Sequence, residues 1–197
     1  MKTVYIGGEG EIVEKKSRFI ATVRPVASEE EAVAFIAEMK KKYWDARHNC
    51  SAFVIGDRQE LSRCSDDGEP AQTAGRPMLD VLLREEIHNV AVVVTRYFGG
   101  VLLGTGGLVR AYTTATARAL ENAEVVTVRS VVELSVTVDY SLYERASLLI
   151  DAAQFTDRVT LHWQMPEGTE PPLLEQLREL TRGSAQVTVS DPFYAPF

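Results

Sequence analysis

Cysteine is scarce: Cys50 and Cys64 are the only two in 197 residues. They cannot build a disulfide scaffold, and no second thiol stands at the spacing of a zinc ribbon. Histidine occurs three times, and His88 and His162 have no obvious partner in the sequence. The chain contains no His-Glu-x-x-His, Gly-x-Ser-x-Gly or Gly-Lys-Ser/Thr sequence and no first-turn dinucleotide fingerprint. Zincin, serine-hydrolase and nucleotide-triphosphate-loop chemistry therefore have no support. No apolar run is long enough to span a bilayer and no secretory leader opens the chain, so a cytoplasmic protein with no membrane association is expected. No metal or cofactor is expected. Basic charge is also short: 21 Lys and Arg against 28 Asp and Glu give a net of -7.

That deficit is uneven. Residues 1–129 hold 17 basic and 18 acidic side chains, a net of -1; residues 130–197 hold 4 and 10, a net of -6. A surface for a polyanion belongs in the first two thirds. The acidic remainder suits a basic protein surface, or solubility alone.

What is present reads as two α+β domains, 1–129 and 130–197. In the first, a Gly7-Gly8-Glu9-Gly10 break precedes a hairpin of residues 11–16 and 19–23. Ser28-Glu29-Glu30-Glu31 is a capping box. The helix it opens carries Ala32, Phe35, Ile36 and Met39 on one side and Lys40, Lys41 and Lys42 in its last turn. Strands are expected near 51–56 and 60–64, then a helix from Pro77 to Glu86, a buried Val-rich strand over 90–97 and a helix over 108–120. A seam is expected at 125–129, before an alternating strand over 131–138. Beyond it, Ser141-Leu142-Tyr143-Glu144 opens a helix, 153–156 and 159–165 form a hairpin, a helix over 172–182 stops at Gly183, and 186–190 is a last strand. That βαββαβ order is ferredoxin-like.

Three stretches carry the chemistry. Asp66-Asp67-Gly68-Glu69-Pro70 sets three carboxylates around a glycine turn. The cluster suits a hard cation or acid–base work, or else the capping of backbone amides. Thr73-Ala74-Gly75-Arg76-Pro77 follows, with a hydroxyl and a guanidinium at a helix start, a natural anion site. Gly99, Gly100, Gly104, Gly106 and Gly107 lie between a strand and a helix, flanked by Arg96 and Arg110. Glycine lets a ligand approach backbone amides and arginine pairs with phosphate; the alternative is a tight crossover that needs glycine for packing. Just before a strand, Trp44 suits base stacking or the core, while Arg47 and His48 suit an anion, or His48 with Cys50 a Cys–His pair.

Asp45-Ala46-Arg47-His48-Asn49-Cys50, Asp66-Asp67-Gly68-Glu69-Pro70 with Thr73-Ala74-Gly75, and Arg96-Tyr97-Phe98-Gly99-Gly100 with Leu103-Gly104-Thr105-Gly106-Gly107-Leu108 together resemble the IMPACT/YigZ family. The resemblance covers roughly residues 1–125 by motif. Arg47 is a departure, standing where many relatives carry a smaller residue. The resemblance implies a ribosomal-protein domain-two-like fold for the first domain, and a ferredoxin-like second domain similar to the last domain of elongation factor G. It implies a family-motif cleft of His48, Asn49, Cys50, Asp66, Asp67, Glu69 and Thr73, with catalytic residues unknown. The function it implies is non-enzymatic RNA or ribosome binding in the regulation of translation. Contacts are expected from Arg76, Arg96, Arg110 and the five loop glycines, with aromatic support from Tyr97 or Phe98. Two other readings stand beside it. One is a protein-binding regulator of translation acting through the acidic C-terminal domain. The other is a small metal-assisted hydrolase using the Asp66-Asp67-Gly68-Glu69 cluster.

Overall fold

Strands and helices alternate through the first of two units, Met1–Thr127. They are β1 (Lys2–Ile6), β2 (Gly8–Glu14), β3 (Ser17–Pro25), α1 (Glu29–Lys42), β4 (His48–Ile55), β5 (Leu61–Ser65), α2 (Gly75–Arg84), β6 (Ile87–His88), β7 (Val90–Tyr97) and α3 (Thr105–Glu121). The computed structural model describes residues 1–139, 141, 152–155 and 159–196. β2, β3, β7, β4 and β5 form, in that order, an antiparallel sheet. On β7, Val90, Val92 and Val94 pack with α2 and α3, while Ala91 and Val93 pack with Phe35 and Met39 of α1. A strand covered on both faces needs no polar alternation, which is why this segment reads as a Val run.

Of the glycines expected as a break, Gly7 stands between β1 and β2 while Gly8 and Gly10 lie inside β2. A Cβ on Gly8 would stand 2.4 Å from the Ala119 carbonyl oxygen, and one on Gly10 2.6 Å from the Ala119 nitrogen. α3 crosses β2 so closely that a side chain cannot fit. The hairpin turn falls at Lys15 and Lys16 rather than at 17–18, both left-handed, with φ of 45° and 66°. Ser28 caps α1 by accepting from the Glu31 amide at 3.3 Å, while Glu31 reaches back to the Ala27 amide (2.7 Å). β4 begins at His48 rather than near 51, α2 at Gly75 rather than Pro77, and α3 at Thr105 rather than 108. Gly106 and Gly107 therefore belong to a helix and not to the loop. β1 was not anticipated; it pairs with β6 in parallel and with Glu124–Thr127 antiparallel. The expected seam is spanned by one strand, β8 (Glu124–Val138).

The second unit, Val128–Phe197, holds the rest of β8 with β9 (Ala152–Phe155), β10 (Val159–Pro166), α4 (Pro171–Thr181), β11 (Gln186–Val189) and β12 (Phe193–Pro196). The antiparallel order is β9-β10-β8-β11, and the unanticipated β12 also pairs with β8. Leu134, Val136, Val159 and Leu161 bury against Leu173 and Leu177 of α4. Arg182 (φ 50°) and Gly183 (φ 77°) end that helix in left-handed conformations. Apart from Ser141, the helix expected to open with Ser141-Leu142-Tyr143-Glu144 lies outside the described residues.

Candidate nucleic-acid interface

Strand register gathers the three motifs at one end of the five-stranded sheet. His48 lies opposite Arg96, Arg18 opposite Tyr97, and Ser51 opposite Ser65. The start of β4, the exit of β7, the exit of β5 and the β2–β3 turn therefore share that end. Most of the motif side chains are engaged with one another and with the backbone.

Arg96 is in phase with Val92 and Val94, so it points to the face that α3 covers. Its Nη1 donates to Glu69 Oε1 at 2.6 Å, and the two side chains are 8% and 3% exposed. Tyr112 of α3 donates to the same oxygen at 2.8 Å. The Cys50 thiol is 3.0 Å from the Asp66 carbonyl oxygen and 3.4 Å from the Tyr112 hydroxyl. Burial pushes the Cys50 thiol up from 9.0 to about 12, and it also raises Tyr112 well above the usual phenol range, with Cys50 and Glu69 adding to the effect. Both groups are held toward their protonated forms, and the Cys50 thiol bonds to the Asp66 carbonyl and Tyr112 while His48 Nδ1 faces the Asp67 carbonyl, so the two do not form a hydrogen-bonded Cys–His pair. Arg96, expected as a phosphate partner, is instead an internal cation neutralised by Glu69.

The other carboxylates hold the loop between β5 and α2. Asp66 accepts from the amides of Gln72 (2.7 Å), Ala74 (3.0 Å) and Gly75 (2.8 Å), capping α2 from outside the helix. That carboxylate fills the helix start expected to take an anion, and Arg76 pairs with Asp80. Asp67, left-handed at φ 42°, accepts from the Asn49 amide (2.7 Å) and from Lys40 of α1 (2.6 Å). Thr73 donates to the Pro70 carbonyl (2.7 Å), and the Asn49 side chain accepts from Thr95 (2.7 Å). Asp66, Asp67 and Glu69 thus bind three separate sets of partners. Among the described residues no three His, Cys, Asp or Glu side chains gather as a metal-binding group. The metal-assisted hydrolase reading loses its ligand set.

Among the glycines, Gly99 has a tertiary reason. A Cβ there would stand 2.0 Å from the Lys16 carbonyl oxygen. Gly100 (φ 82°) and Gly104 (φ 73°) are left-handed, with open space around them. His88 Nδ1 lies 3.1 Å from the Gly56 carbonyl. His162 Nδ1 is 3.0 Å from Ser135 Oγ and 3.1 Å from Glu133 Oε1. Two partners on one ring nitrogen do not make a triad.

Solvent at this end meets a different set of residues. Phe98 is 52% exposed, Leu102 81% and Trp44 82%, so Trp44 is not core. Lys15, Lys16, Arg47 and Arg110 are exposed, and none has an ion-pair partner among the described residues. Asp45, Arg47, His48, Arg96, Tyr97 and Phe98 line a 390 Å³ cleft. Tyr97 donates to Asp45 Oδ1 at 2.7 Å, which raises the phenol. Sequence reading missed Lys15 and Lys16; their signal was a Lys pair between two strand-like runs.

Residues 15–120 match the Impact N-terminal domain. The chain is 37% identical over 199 residues to IMPACT family member YvyE of Bacillus subtilis, covering 98% of this chain and 92% of that protein. It is 36% identical over 183 residues to IMPACT family member YigZ of Escherichia coli, covering 88% and 89%. The crystal structure of a hypothetical protein superposes with a TM-score of 0.61 at 32% identity, covering 96% of this chain and 97% of that one. With over half its residues under the family domain and relatives matched along nearly their whole length, the chain belongs to the IMPACT family.

Proposed function

We propose that this protein is a cytoplasmic, non-enzymatic regulator of translation that binds RNA or the ribosome through the open end of the first unit's sheet. The observation that carries the reading is the pairing of four unpartnered cations, Lys15, Lys16, Arg47 and Arg110, with exposed Phe98 and Trp44. Cations that are not neutralised internally make phosphate contacts, and exposed aromatic rings stack on bases. The reading takes 1–129 as a ribosomal-protein domain-two-like domain and 130–197 as a ferredoxin-like one. The strand order β9-β10-β8-β11 with α4 supports the latter.

Fluorescence anisotropy with labelled single-stranded RNA across a salt series tests it. Four phosphate contacts give a slope of log affinity against log salt of about -3. Lys15→Ala/Lys16→Ala should flatten that slope by about 1.4. Arg76→Ala, already paired to Asp80, should leave it unchanged. Folded protein that binds neither RNA nor ribosomes at low salt overturns the proposal. A second reading is a protein partner for the acidic domain, favoured by Phe193 (38% exposed) and Tyr194 (61% exposed). Pull-down on Phe193→Ser/Tyr194→Ser protein tests it, and capture equal to wild type counts against it.

A further inference from the structure

We infer that the 390 Å³ cleft lined by Asp45, Arg47, His48, Arg96, Tyr97 and Phe98 is a pocket for one guanine nucleotide of an RNA strand. The inference rests on the RNA reading above and narrows it to a base. The volume lies within the roughly 300–1,000 Å³ of small-ligand sites.

The hydrogen-bonding character of the walls decides the ligand. Tyr97 donates its one O–H to Asp45 Oδ1, so the phenol oxygen offers only lone pairs to a ligand. Asp45 Oδ2 has no hydrogen-bond partner among the described residues. His48 Nδ1 is 3.0 Å from the Asp67 carbonyl oxygen. A carbonyl can only accept, so Nδ1 carries a proton, and the tautomer with that single proton presents Nε2 as an acceptor. Arg96 uses Nη1 on Glu69 and its Nε is buried, while its Nη2 hydrogens remain donors. Asp45, Tyr97 and His48 therefore give the cleft a wall of acceptors beside the Arg96 guanidinium, with the free cation of Arg47 at its edge and the half-exposed ring of Phe98 beside it.

The complementary ligand has a flat π face, an edge of adjacent N–H donors, and an anionic group. Guanine fits, because N1–H and the N2 amino group point the same way and match the two oxygens of a carboxylate. Uracil sets one N–H between two carbonyls that would face Asp45. Adenine and cytosine set one amino group beside a ring-nitrogen acceptor. A phosphate on Arg47 and stacking on Phe98 complete the set without adding base preference.

The test is anisotropy at fixed salt with full-length protein and labelled U-tract hexamers carrying G, A, C or U at one central position. The G-containing strand should bind about tenfold tighter than all-U, the discrimination of one good bidentate contact. Asp45→Asn should abolish that preference. Phe98→Ala should weaken every strand by the same factor. Guanosine monophosphate, added without RNA, should shift the NMR signals of His48 and Phe98, and uridine monophosphate should not. Binding of all four strands with equal affinity, or a guanine preference retained by Asp45→Asn, overturns the inference and leaves the RNA reading standing. Absence of RNA binding of any kind, with no response to guanosine monophosphate, overturns both.

Discussion

The Arg96–Glu69 pair is the most demanding element of the first unit. Both side chains are almost fully enclosed, with Nη1 and Oε1 2.6 Å apart. Arg96→Met leaves the Glu69 carboxylate inside with, among the described residues, the Tyr112 hydroxyl alone to satisfy it. Glu69→Gln leaves the guanidinium inside without a counter-charge, its Nε already unpartnered. Removing one member of a buried pair costs about 3–5 kcal/mol. A whole domain is stable by about 5–15 kcal/mol, so either substitution brings the first unit close to unfolding. The double variant Glu69→Gln/Arg96→Met removes both charges. The carboxamide it introduces still accepts from Tyr112, and the thioether chain fills the space beside the Phe19 and Phe98 rings, which lie 5.5 and 5.6 Å from the Arg96 guanidinium carbon. The double variant should lie within about 2 kcal/mol of wild type, a favourable coupling of several kcal/mol. Hydrogen exchange of β4 and β7 amides against urea reads this for the first unit alone. Single effects that add to within about 0.5 kcal/mol would refute the account, since independent sites behave that way.

Asp66→Ala should destabilise the first unit by about 2–4 kcal/mol through three amides left without their acceptor, read by thermal unfolding; a loss under about 0.5 kcal/mol contradicts the capping role. Gly99→Ala forces a Cβ onto the Lys16 backbone and should cost several kcal/mol. Gly100→Ala, left-handed but in open space, should cost about 1 kcal/mol, and Gly106→Ala, in the first turn of α3, should be neutral or stabilising. Equal losses at all three remove the distinction drawn between packing and backbone conformation. Alkaline pH should also destabilise the first unit. The unfolded thiol of Cys50 releases its proton near 9.0 and the buried one near 12, so stability falls by about 1.4 kcal/mol per pH unit between them. Tyr112 acts in the same direction. Cys50→Ala should flatten that limb, and identical alkaline slopes in the two proteins would contradict it.

Local causes were readable and distant ones were not. The Val run of β7 and the Ser28 cap of α1 follow from neighbouring residues alone. Gly8 and Gly10 read as a chain break because glycine weakens a strand by itself. Their reason is the α3 backbone, more than a hundred residues away in sequence. The starts of β4 and α2 moved because Asp67 and Asp66 hold amides there across the fold. Arg96 read as a surface cation at a strand end. Its period-two phase with Val92 and Val94 pointed inward, yet its counter-charge lies 27 residues earlier in a loop. The meeting of the three motifs depended on strand order, which composition does not encode. Lys15, Lys16 and Arg47 joined Arg110 as open cations at this end once Arg76 and Arg96 had partners.

Asp66 and Asp67 are neighbours whose bonds mature at different times. Asp66 bonds to amides six to nine residues ahead, so its contacts can close with the first turn of α2. Asp67 bonds across 18 and 27 residues, to β4 and to α1, and waits for both to be in place. Loop-closure entropy puts the first set early in folding and the second late. Substitution at Asp66 should then slow folding, and substitution at Asp67 should mainly hasten unfolding, which stopped-flow refolding and unfolding rates would read. One residue sets how quickly the loop is made and the next how long it lasts.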